Sequence, residues 1–174
     1  MSRITQENIR RNKILDAEYN PLLGIGSTIE RQLFQISDLE KPVYLPISMS
    51  NLEWVQKLGE AKSIKEYIRR HRYDNELLAT SIYPEDLIPE LFIQERLNHD
   101  FEFWAATCIN ITHKDNFKDV PFILRGAQRK LLFTLESMRL AGVPIRIVLL
   151  KARQWGGSTL VQFYMMWIQQ RNAM

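Results

Sequence analysis

The chain is 174 residues long, with 45% hydrophobic and 25% charged residues, an ordinary balance for a globular protein of one domain or a domain and part of another. Its single cysteine, Cys108, excludes an internal disulfide and a cysteine-based zinc site, and points to an intracellular protein. No apolar run is long enough to span a bilayer, and the opening Met-Ser-Arg-Ile-Thr-Gln-Glu lacks the apolar core of a signal peptide.

The net charge of +3 conceals an asymmetry. From residue 120 onward, eight Lys and Arg face one acid, Glu136, a net of +7; the first 119 residues hold fifteen basic and nineteen acidic residues, a net of −4. A basic C-terminal third suits a phosphate site, a DNA-facing surface or an ordinary solvated face.

In chain order, residues 1–20 mix Arg10, Arg11 and Lys13 with Glu7, Asp16 and Glu18, as on a short solvated helix. Gly24-Ile-Gly26 has no strand pattern before it and is a loop, not a dinucleotide fingerprint. Residues 27–47, with Pro42 and Pro46, are expected to be irregular. Ser50 is placed to cap a helix over Asn51–Leu58, with Leu52, Val55 and Leu58 on one face and Gly59 as its terminator. Ser63 opens a second helix to Arg72 around Ile64, Tyr67 and Ile68, ending in the basic cluster Arg69-Arg-His-Arg72. Cations suit a helix C-terminus, which accounts for the cluster without a ligand, with a DNA or partner-protein contact as the alternative.

Pro84-Glu-Asp begins a further helix with acids in its first turn, and helical periodicity extends from Ile88 through Leu97 to Cys108. Phe101, Phe103 and Trp104 belong to a core. His71, His99 and His113 lack ligand partners at metal spacing, so no metal site made by protein side chains alone is expected. Ile109–Thr112 and Val120–Leu124 are short strands around a polar loop. Leu131, Leu135 and Met138 then mark a helix from Gly126 to Leu140, stopped by Gly142 and Pro144.

Ile145–Leu150 is a brief apolar run with one charge, Arg146, which predicts a strand buried on both faces. A basic, glycine-containing turn follows, and then a helix over Ser158–Ile168. Strand, glycine turn and helix N-terminus make an anion site, because the first helical N–H groups lack backbone partners and the dipole is positive there. Against G-x-x-x-x-G-K-[ST], the fit is partial. Gly156 sits at the second glycine and Ser158 at the Mg²⁺-binding hydroxyl, but Lys151 stands at the first glycine and Gly157 at the lysine. A phosphate-wrapping loop brings its first residue opposite its last, so a cation at Lys151 could reach the same terminal phosphate.

Lys-Ala-Arg-Gln-Trp-Gly-Gly-Ser-Thr, residues 151–159, resembles the variant Walker A of the large terminase subunit of tailed bacteriophages, the ATPase-nuclease that packages DNA. The resemblance covers residues 100–174 closely and the preceding part weakly. It implies an α/β fold in which a truncated P-loop NTPase unit of the ASCE type (residues 100–174) follows a mainly helical N-terminal region (residues 1–99). It implies ATP and Mg²⁺ as cofactors, with Ser158 on the metal and Thr159 beside it, and Lys151 and Arg153 as the cations acting on the terminal phosphate. Gln154, Gly156 and Gly157 complete the loop. The segment Pro121-Phe-Ile-Leu-x-x-x-Gln128 resembles the family's adenine-recognition element, with Gln128 on the base edge and Phe122 packed near it.

The partners it implies are double-stranded viral DNA, and the portal and small terminase subunit for the whole protein, in an oligomeric motor in the host bacterial cytoplasm, with no membrane. No Asp or Glu follows Glu136, so the Walker B acids and nuclease carboxylates of the family have no counterpart within these residues. The expectation is an N-terminal fragment that binds nucleotide and is inactive alone. A helicase-like DNA-dependent ATPase fragment and a non-enzymatic helical binding protein stay open beside it.

Overall fold

Hydrophobic pattern and caps account for most of the helices in the computed structural model, which describes residues 6, 18–113, 117–150 and 155–172. Among the described residues the architecture is mixed, with helices dominant and two small antiparallel sheets of two strands each. Sheet one is a hairpin of β1 (Arg31–Phe34) and β2 (Val43–Pro46), in register from Arg31↔Pro46 to Phe34↔Val43. It lies where an irregular stretch was expected. Alternation had little room to show in four-residue strands, and Pro46 sits at the strand end, where a proline does no harm.

Helix α1 (Ile47–Ser50) follows at once, then α2 (Glu53–Ala61) and α3 (Ile64–His71). Ser50 does not cap α2; its hydroxyl is buried and donates to the carbonyls of Leu45 and Pro46. Gly59 does not end α2 either. It lies inside the helix, where an added Cβ would come 3.4 Å from the Phe34 ring. Lys62 takes the left-handed turn instead, at φ 60°. A tertiary tie sets that end: Lys62 O accepts from Ser37 N at 2.8 Å, and Asp38 Oδ2 accepts from Ile64 N at 2.9 Å. Ser63 caps α3 by accepting from Glu66 N, as its sequence predicts.

After a 3₁₀ turn (Arg72–Asp74) come α4 (Glu76–Thr80), α5 (Pro84–His99) and α6 (Phe101–Cys108). The long helix expected from Ile88 to Cys108 is broken at Asp100, whose carboxylate accepts from Phe103 N and starts α6. Strands β3 (Asn110–Thr112) and β4 (Asp119–Pro121) form the second hairpin. Helix α7 (Gly126–Leu140) and helix α8 (Gly157–Asn172) complete the chain. Gly142, at φ +67°, closes α7 in a Schellman turn: its N–H donates to Arg139 O, and that of Val143 to Met138 O.

Apolar side chains gather in two cores. The first joins Phe34, Leu45, Met49, Val55, Leu58, Tyr67, Leu78 and Ile88. The second joins Phe101 and Trp104 of α6, Phe122 and Leu124, Leu131, Leu132 and Leu135 of α7, and Leu160, Tyr164 and Trp167 of α8. Phe101, Tyr164 and Trp167 stack at centroid distances of 5.4–5.8 Å.

The predicted strand Ile145–Leu150 is not formed. Nothing pairs with it among the described residues, and its side chains are exposed, Val148 by 94% and Leu150 by 96%. A strand needs a neighbour for its N–H and C=O groups, and an apolar run without one is only a coil.

Candidate functional site

The turn ahead of α8 is held by the start of α7. Phe122 and Leu124 are buried and fix the approach to α7, with Phe122 edge-on to Phe163 of α8 at 5.0 Å. Phe122 is thus a core residue joining the two helices. Gln128, in the first turn of α7, is 3% exposed. Its Oε1 accepts from Arg125 N at 2.8 Å, which satisfies one of the amides at that helix end. Its Nε2 donates to Gly156 O at 3.1 Å.

Gly156 has φ +80°, the left-handed region, and a Cβ there would lie 2.7 Å from Gln128 Nε2. Gly157 begins α8 and is buried; its missing side chain leaves room for the Trp155 ring, 2.6 Å from where a Cβ would be. Ser158 is exposed in the first turn and Thr159 half-buried. The first turn of α8 holds no acid. Lys151, Arg153 and Gln154 lie outside the described residues. Gln128, Gly156, Gly157 and Ser158 are therefore brought to one place, with Phe122 in the core behind them.

The one acid of the basic segment after residue 119, Glu136, is already engaged. Arg139 donates to both its oxygens at 2.7–2.8 Å, and Tyr164 OH donates to Oε1. Burial, with the Glu136 carboxylate beside it, pushes the Tyr164 hydroxyl well above the ordinary tyrosine range.

No protein-family model, curated protein or solved structure matches the chain.

Sequence reasoning missed a second polar constellation. Arg31 of β1 bonds both carboxylate oxygens of Asp100 at 2.6 and 2.7 Å and Glu102 Oε2 at 2.7 Å, with all three side chains buried. Tyr19 OH and Ser27 Oγ also donate to Glu102. Arg96 reaches Asp100 and the Pro21 carbonyl, and Arg129 of α7 donates to Gly26 O while lying over the Tyr19 ring. Burial raises the Tyr19 hydroxyl pKa far above its usual value, reinforced by the Glu102 charge. Arg31, despite the opposing effect of burial, is held charged by the two acids. The network ties the loop after residue 18, the first hairpin, the α5–α6 junction and α7 together. Its signal in the sequence was Glu102, a carboxylate set among Phe101, Phe103 and Trp104.

Among the described residues, no group of three His, Cys, Asp or Glu side chains is placed to hold a metal, and no helix is long and apolar enough to cross a membrane.

Proposed function

We propose that residues 151–159 bind the phosphates of a nucleotide, and that the chain is the ATP-binding part of a DNA-packaging ATPase of the terminase large-subunit type, a P-loop unit behind a helical N-terminal region. The observation that carries this reading is the left-handed Gly156 placed directly before a sixteen-residue helix with no acid in its first turn. Such a turn directs successive N–H groups and the positive end of the helix dipole toward one point, which suits a phosphate. The donor set fits the group: Ser158 offers an exposed hydroxyl for Mg²⁺, and the sequence supplies two cations, Lys151 and Arg153, a few residues before it. Bound Mg·ATP supplies a triphosphate for transfer. The chain's own contribution is to fix the phosphates and offset their charge. The net +7 beyond residue 119 supports a polyanionic partner, DNA in this reading.

A fluorescent-nucleotide titration tests it. Wild type is expected to bind ATP with an affinity that falls on chelating Mg²⁺. Ser158→Ala should remove that dependence, and Lys151→Ala should weaken ATP more than ADP, its charge being aimed at the last phosphate. Equal ATP binding by wild type and Lys151→Ala would end the role of Lys151 and leave Arg153 as the cation. No binding by wild type would leave residues 151–159 as a plain basic turn in a helical binding protein.

A further inference from the structure

We infer that Gln128 is a positioning residue for the phosphate-binding turn, acting through Gly156 and not through a nucleotide base. The inference rests on the phosphate reading above. Both ends of the Gln128 amide are already committed to backbone groups: the oxygen accepts from Arg125 N, and the nitrogen donates to Gly156 O. At 3% exposure it presents no free edge to a base. The carbonyl it holds also accepts from Leu160 N at 3.1 Å, at the start of α8. One amide therefore clamps the start of α7 to the start of α8 across 28 residues of sequence.

The clamp sits where the geometry of the turn is decided. Gly156 must stay at φ +80° for the following amides to converge, and its carbonyl direction is fixed by the same peptide unit that Gln128 holds. Phe122 and Leu124 anchor the other side of the clamp in the second core, so the turn is referenced to rigid packing. Swinging Gln128 toward a base would take its acceptor from the Arg125 N–H and leave Gly156 O with the Leu160 N–H alone.

Two variants and two readouts test this. Gln128→Ala removes both bonds. Gln128→Glu keeps the acceptor for Arg125 N, but as a carboxylate it faces Gly156 O with no proton to donate. Protonated, it again offers one donor and one acceptor, so lowering the pH should restore the clamp. Hydrogen exchange on the full chain is expected to show Leu160 N–H protection falling about tenfold in Gln128→Ala, the scale of one hydrogen bond. Gln128→Glu should show the same loss at pH 8 and recover toward wild type as the pH falls through the glutamate range, about 4.3 for an unperturbed group. Arg125 N–H should lose protection in the alanine variant only.

Inorganic triphosphate, which has no base, is the binding probe. Its affinity should fall in Gln128→Ala by the same factor as that of ATP and GTP. Unchanged triphosphate binding together with a lost preference for ATP over GTP would overturn the inference in favour of base reading. Unchanged Leu160 protection in both variants would overturn it as well. If wild type binds no triphosphate, the phosphate reading fails, and with it the clamp's functional role; the exchange data then report on the clamp alone.

Discussion

Arg31 and Asp100, 69 residues apart, meet through two parallel hydrogen bonds of 2.6 and 2.7 Å, with both side chains shut away from solvent. The pair joins the first hairpin to the junction of α5 and α6. Glu102 shares the same guanidinium, so two buried carboxylates depend on one cation, helped by Arg96 at 3.4 Å.

Removing that cation should be severe. Arg31→Met leaves Asp100 and Glu102 buried without their main counter-charge, and the expected loss is about 3–5 kcal/mol. Urea denaturation measures it. Adding Asp100→Asn and Glu102→Gln to Arg31→Met should recover much of the loss, because neutral amides tolerate burial better than unpaired charges. A loss below about 1 kcal/mol for the single variant would show that the network does not depend on Arg31.

The glycines separate into two kinds. Gly142 has φ +67° with nothing within 4 Å of an added Cβ, so Gly142→Ala should cost only the left-handed strain, about 1–2 kcal/mol. At Gly24 the added Cβ would lie 2.1 Å from Tyr44 O, and at Gly26 the same distance from Glu18 O. Backbone cannot step aside, so either alanine variant should cost clearly more than Gly142→Ala. Thermal melts of the three variants rank them, and equal shifts would contradict the close approach.

His99 predicts an acid-side loss of stability. Burial lowers its pKa, and Arg171 and Arg139 add to the effect. Glu95 Oε2 lies 3.4 Å from Nε2, yet burial and the two arginines outweigh it. The folded protein thus prefers the neutral ring. The associated stability is present above the unfolded histidine value of about 6.5 and is lost as pH falls through the lower folded value. Urea midpoints between pH 7.5 and 5.5 should fall for wild type and flatten for His99→Gln. An unchanged slope in the variant would assign the loss to other groups.

The uncovered apolar run makes a solubility prediction. Val148 and Leu150 are almost fully exposed, in a segment with no strand partner among the described residues. Val148→Lys with Leu150→Lys should reduce self-association in light scattering while leaving the melting temperature within about 1–2 °C, since neither side chain packs on a core. A large drop in melting temperature would mean that these side chains are covered in solution.

Local chemistry made several elements legible from the sequence alone. Ser63 before Glu66, Pro84 before two acids, and Gly142 after Leu140 act within one helical turn, so the residues that stop or start each helix stand next to it in the chain. The glycine turn before α8, the Leu131–Leu135 stripe and the concentration of positive charge after residue 119 were readable for the same reason. What only the tertiary structure decided depends on groups far apart in sequence. The end of α2 moved from Gly59 to Lys62 because Ser37 and Asp38 hold the next residues. The expected long helix broke at Asp100 because its carboxylate serves Arg31 and Phe103 together. Ile145–Leu150 has strand composition, but a strand is a relation between two segments, and no described segment pairs with it. The Gln128 amide could be read as a hydrogen-bonding group, but its partners could not, because Gly156 comes within 3.1 Å only once α7 and α8 have packed on one core.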